Sequence, residues 1–125
     1  MFFTQLLGPS GLSLHKLVLA KDAVREDGSF PRTPPYTEEC QYAEALDPNV
    51  VRGRIVICTF SEGFFNGTSS VTAIIDTAKA LEFSGFLLVA NPSYGDFIAE
   101  PLPFDVSGIL IPNVTDVQVL MTNTI

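Results

Sequence analysis

Histidine is nearly missing from this chain: His15 is its only one, and there are just two cysteines, Cys40 and Cys58. A serine or cysteine nucleophile needs a base within hydrogen-bond reach and a third group to orient that base. A structural zinc needs four ligands drawn largely from the same residue types. One histidine and two cysteines make no zinc set, and no D-x-D-x-D-G calcium loop occurs. No metal and no cofactor is expected. Basic residues are also scarce: seven Lys and Arg stand against fourteen Asp and Glu, for a formal net charge of -7. The average field therefore repels phosphate backbones and anionic lipid surfaces, which argues against nucleic acid as a partner. Long apolar runs are absent too. Ile55-Val-Ile-Cys58 and Phe86-Leu-Leu-Val-Ala90 fall far short of the roughly 18 residues a transmembrane helix requires, so no membrane insertion is expected.

What is present is a chain of 125 residues, 46% apolar and only 17% charged. That length suits one domain, which hides roughly two thirds of the surface its unfolded chain exposes. The opening MFFTQLLGPSG has no basic stretch, and Thr4, Gln5, Gly8 and Pro9 interrupt its apolar residues. It reads as an incoming linker over residues 1–13 rather than a signal peptide, with one domain over 14–125. The final Leu120-Met-Thr-Asn-Thr-Ile125 carries no helix-stop signal, as expected of a fragment of a longer chain.

Aliphatic and branched residues predict strands over 14–20, 54–60, 86–90 and 108–111. A polar loop with Gly28, Pro31, Pro34 and Pro35 spans 25–37, and a short helix is expected over 38–46, stopped by Pro48. From Thr68 the period changes: Val71, Ile74, Ile75, Ala78 and Leu81 form one stripe, the mark of an amphipathic helix. Thr68, Ser69 or Ser70 can cap its start and Gly85 can end it in the left-handed conformation. A terminal helix is expected from about Thr115, where Gln118 completes a capping box. The helix between strands 54–60 and 86–90 predicts a parallel pair joined by a crossover. Gly53, just before the first of them, is expected at a tight turn or bulge that other residues adopt poorly.

Few motifs carry chemistry. Gly67-Thr-Ser is also how subtilisin-like proteases present their nucleophile, but hydroxyl residues at this place are what a helix N-cap demands. Cys58 follows Ile55-Val-Ile57, an apolar setting that does not favour a thiolate; taken alone it fits core filler or half of a disulfide. The acidic residues are scattered and read as a solvated surface. Gly63 and Gly67 lack the spacing and the lysine of a phosphate loop. Two N-glycosylation sequons, Asn66-Gly-Thr68 and Asn113-Val-Thr115, favour a secretory address together with the even cysteine count. The 91–105 loop spreads Tyr94, Phe97 and Phe104 among Asp96, Glu100 and Asp105, a composition that suits contact with a basic partner or substrate segment and equally suits aromatics folded back onto the core.

The stretch VRGRIVIC at 51–58 resembles the segment of protease-associated domains in which V-x-G-x-I-x-x-C leads into a central strand. The order of other motifs agrees: LVLAKD at 17–22, Cys40, TAKA at 77–80, SGFLLVAN at 84–91 and GILIP at 108–112. Within that family the chain is most similar to the domain inserted in plant subtilisin-like serine proteases. The resemblance implies a mixed α/β fold with an open, barrel-like sheet flanked by helices, and a disulfide between Cys40 and Cys58. It also implies a role without catalytic residues of its own: substrate access, substrate recognition or pairing into a homodimer, beside the catalytic domain of a secreted host protease whose substrates are peptides or proteins. Luminal ligand-binding modules of sorting receptors and of membrane-anchored ubiquitin ligases share the fold and stand as the alternative. An independent small hydrolase would need a base that the chain does not supply.

Overall fold

A computed structural model describes residues 17–25, 37–103 and 107–124. Four short strands, β1 (Leu17–Leu19), β2 (Ile55–Thr59), β3 (Gly85–Val89) and β4 (Gly108–Ile111), pair in the order β1-β2-β3-β4, and every pairing is parallel. The register sets Leu17 opposite Ile55, Ile55 opposite Gly85, and Phe86 opposite Gly108. Among the described residues β1 and β4 are the two edges of the sheet, so no barrel closes. The helices are α1 (Pro48–Val51), α2 (Glu62–Phe65), α3 (Val71–Leu81) and α4 (Val114–Thr124), with 3-10 turns at Ala20–Asp22 and Ala43–Ala45.

Both faces of the sheet are covered, which is why its central strands read as unbroken apolar runs rather than alternating ones. Val56, Cys58, Phe86 and Leu88 pack with Ile74 of α3 and with Val51, Ala20 and Cys40. Ile55, Ile57, Leu87 and Val89 pack on the opposite face with Val117 and Leu120 of α4. The stripe on α3 behaves as its period predicts: Ile74 is fully buried, with Val71, Ile75, Ala78 and Leu81 packed around the same core.

Several boundaries differ from expectation, each for a local reason. The first strand stops at Leu19, and Ala20 turns into a 3-10 segment. The helix expected over 38–46 is replaced by a turn and the short Ala43–Ala45 3-10 segment. Cys40 sits at φ +58, outside the right-handed helical region, because its neighbours and its own sulfur are tied to other parts of the fold. Pro48 starts a helix instead of stopping one: Asp47 accepts a hydrogen bond from the Asn49 N–H, and proline at the first helical position gives up a donor that has no partner there in any case. The helix α3 ends on Glu82, at φ 59 and ψ 47, rather than at Gly85, which is the first residue of β3. The Glu82 carbonyl accepts the Gly53 N–H at 2.8 Å, and this contact holds the left-handed turn without glycine.

Gly53 has φ +71, and a side chain there would meet nothing within 4 Å. Replacement therefore has a conformational cost only, about 1 kcal/mol for Gly53→Ala. Arg52→Ala next to it removes an exposed 3.5 Å ion pair with Glu82, which contributes about 0.5 kcal/mol or less. Thermal melts of the two variants should rank in that order; a Gly53→Ala curve that overlays the parent would remove the conformational argument.

Candidate interaction surface

The carboxyl ends of β2 and β3 carry the two segments on which the aromatic residues converge. Residues 39–41 fix the first. Glu39 is fully buried, and its Oε2 accepts from the Ser61 N–H (3.1 Å), the Ser61 hydroxyl (2.7 Å) and the Phe64 N–H (3.2 Å). The Ser69 hydroxyl donates to Oε1 of the same carboxyl group. Gly63 has no room for a side chain because Ser69 and the Glu39 carboxyl occupy the space its Cβ would take. Cys40 is bonded to Cys58 of β2, with Cα atoms 5.7 Å apart. Gln41 brackets Ser70, donating to its carbonyl at 3.0 Å and accepting from its N–H at 2.9 Å. Three consecutive residues thus lock the 61–70 segment to the sheet.

Glu39 corrects the reading of the acidic residues as a solvated surface: this carboxyl group is a buried hub. The hydroxyls of the G-T-S stretch are all engaged structurally. Thr68 donates to Asn66 Oδ1 at 2.7 Å, Ser69 to Glu39, and the Ser70 oxygen caps α3 by accepting the Ala73 N–H at 3.1 Å. The capping role falls to Ser70 alone.

The second segment begins at Asn91, whose carbonyl accepts the Tyr94 and Gly95 N–H groups, both at 2.9 Å. Asp96 then reaches the start of α4. Its Oδ1 accepts the Val114 N–H at 2.8 Å and its Oδ2 the Asn113 side-chain amide at 3.2 Å. Asn113 Oδ1 in turn accepts from the Thr115 and Asp116 N–H groups at 2.9 and 3.3 Å. Asn113 and Asp96, not the expected Thr115 box, cap this helix, and anionic Asp96 suits the positive end of the helix dipole. Asp96 is therefore committed within the fold rather than free to meet a basic partner.

Phe60, at the end of β2, is the hub of the aromatic cluster. Phe97 stacks on it at 5.0 Å with planes 7° apart, Phe64 at 5.4 Å, and Tyr94 meets it edge-on at 6.3 Å. Phe65 tilts against Tyr94 at 5.2 Å. Tyr94 and Phe97 thus fold back over Phe60 and remain half-buried. The outward apolar groups are Phe65, 67% exposed, and Ile98, 92% exposed. Between the cluster and the start of α3 lies a groove of about 410 Å³ lined by Phe60, Phe64, Val71, Phe97, Ile98 and Glu100. Phe104 and Asp105 lie outside the described residues, as does His15. Sequence reasoning passed over Phe60, Phe64, Phe65 and Ile98; the F-S-E-G-F-F run after an apolar strand was the available signal.

A second cleft of about 410 Å³ opens on the other face of the sheet, where Ile57, Val89, Val117 and Met121 meet Lys21 and Glu38. Burial holds the Glu38 carboxyl above the ordinary glutamate value; neighbouring Glu39 adds to the effect and Lys21 opposes it. Among the described residues no three His, Cys, Asp or Glu side chains gather in a way that could hold a metal ion, and no helix is long and apolar enough to cross a membrane.

The chain is similar to plant subtilisin-like proteases. It is 54% identical over 110 residues to subtilisin-like protease SBT2.4 of Arabidopsis thaliana, an alignment that takes in 86% of this chain and 13% of that protein. It is 35% identical over 108 residues to SBT2.1 and 32% identical over 107 residues to SBT2.2 of the same organism, again across 86% of this chain. The chain spans about 13% of the length of these relatives. No family model and no solved structure matches it.

Proposed function

We propose that this chain is a non-catalytic module of the protease-associated type within a secreted subtilisin-like serine protease, and that it contributes substrate recognition rather than bond cleavage. The aromatic groove beside Ile98 carries the proposal. It places a nearly fully exposed aliphatic side chain and an exposed acid, Glu100, on a rim held rigid by Phe97, Phe60 and the capped start of α4. Large exposed apolar groups set in a polar rim mark contact surfaces. An apolar residue flanked by a basic one is the segment that suits it. The similarity to a small part of full-length proteases supports a host that supplies the catalytic groups, and nothing favours a sorting receptor or a ubiquitin ligase. The two sequons and the Cys40–Cys58 bond fit the secretory pathway and an extracellular destination.

Ile98→Ser and Glu100→Lys in the full-length protease provide the test, since neither change touches the core. Each should lower kcat/KM on protein substrates by roughly ten-fold, with the melting temperature and the kcat/KM for a short peptide confined to the catalytic cleft left unchanged. Equal effects on peptide and protein would refute the proposal. A change in self-association with untouched kinetics would reassign the groove to pairing of two copies.

A further inference from the structure

Two sequons are present, but the fold treats their asparagines differently. We infer that Asn66 is the N-glycan acceptor of this chain, that Asn113 stays bare, and that the first sugars on Asn66 lie over Phe65 and Tyr94. This inference rests on the secretory reading above.

Asn66 is exposed at the end of α2. Its Oδ1 accepts from both the Thr68 N–H at 3.1 Å and the Thr68 hydroxyl at 2.7 Å, and its Nδ2 has no hydrogen-bond partner among the described residues. Two donors on the amide oxygen draw electron density from the amide and ease loss of an Nδ2 proton. In the transfer step the Nδ2–C1 bond to the first N-acetylhexosamine forms while the C1–O bond to a lipid-linked pyrophosphate breaks. One Nδ2 proton passes to a base of the transferase, and the lipid pyrophosphate leaves with the electron pair. The turn that presents Asn66 is made of residues close in sequence: the Asn66 N–H donates to Glu62 O, and the Gly67 N–H to Phe64 O. Its backbone hydrogen bonds are local, while Glu39 holds the segment in place.

Asn113 is also exposed and also has two donors on its amide oxygen, but its nitrogen is already engaged. Its Nδ2 donates to Asp96, its Oδ1 serves the backbone N–H groups of Thr115 and Asp116, and a sugar on Nδ2 would intrude on the contact that fastens the 91–97 segment to α4. Phe65 gives the Asn66 glycan a landing place. It directly precedes the acceptor, is 67% exposed, and lies against Tyr94; an apolar ring so placed matches the C–H face of a hexosamine and would otherwise meet water.

The full chain, secreted from eukaryotic cells behind a heterologous signal peptide, is treated with an amidase that releases N-glycans in heavy-oxygen water, and its peptides are weighed. Most Asn66 should be converted to labelled Asp and almost no Asn113. Labelling of Asn113 equal to or above that of Asn66, or of neither, overturns the assignment. Because the signal peptide imposes the route, a bare secreted chain counts against the site and not against the secretory reading; a native protease retained in the cytosol counts against that reading alone. Removing the glycan should also lower the melting temperature of the parent by a few degrees and that of Phe65→Ala by much less. An equal drop in both overturns the placement over Phe65.

Discussion

Glu39→Ala is expected to lower the melting temperature by roughly 15 °C, the largest effect of any single substitution considered for this chain. The side chain is fully buried, and its carboxyl group receives two N–H groups and two hydroxyls from the 61–69 segment. Alanine leaves these donors buried without an acceptor, at about 1–3 kcal/mol for each one that cannot turn to solvent. The hydroxyls can rotate to other acceptors and the two backbone donors cannot, so the net loss should be about 4 kcal/mol. Glu39→Gln keeps the volume and one acceptor oxygen but points an NH₂ group at a donor, and should lose about half as much. Both variants should expose residues 61–70 to limited proteolysis before the sheet unfolds. A melting curve for Glu39→Ala within about 3 °C of the parent would show that the hub is dispensable.

Removing the Cys40–Cys58 bond should come next. Both cysteines are fully buried, and the bond closes a loop with a sequence separation of 18. A cross-link over that length restricts the unfolded chain by about 3 kcal/mol. The double variant Cys40→Ala/Cys58→Ala should therefore melt roughly 10 °C lower while still ordering β2 against β3, because the Ile55–Val89 ladder does not depend on the sulfurs. Reduction of the native protein without denaturant should be slow, since neither sulfur is open to solvent. Equal melting temperatures for the oxidised chain and the double variant would mean that the bond adds nothing to the fold.

The strands and α3 were legible because their information is local. Ile55 to Cys58 and Phe86 to Val89 are apolar without alternation, as strands covered on both faces must be, and the α3 stripe repeats at helical spacing. What the sequence did not disclose depends on residues far apart in the chain. Glu39 reads as one of many surface acids until Ser61, Phe64 and Ser69 are folded around it. Pro48 reads as a stop because its role at the start of a helix depends on Asp47 taking an extended conformation. Glu82 would not be chosen for a left-handed position, and it holds one because its carbonyl meets Gly53 across the start of β2. The groove was legible only in part: Tyr94 and Phe97 stood out by composition, but Phe60, which gathers them, looked like the last residue of a strand.

The all-parallel ladder also sets how the chain must fold. No two neighbouring strands of the β1-β2-β3-β4 sheet are joined by a hairpin, and even the closest pairing in sequence, Phe86 with Gly108, bridges a long excursion of chain. Each ladder therefore has to close a large loop before its first hydrogen bond forms, and loop entropy opposes every such step until the apolar faces meet. Helix α3 can form early on its own, whereas the sheet must arrive late and together. Refolding should accordingly be slow for a domain of this size, with helical signal preceding the burial of the β2 and β3 side chains.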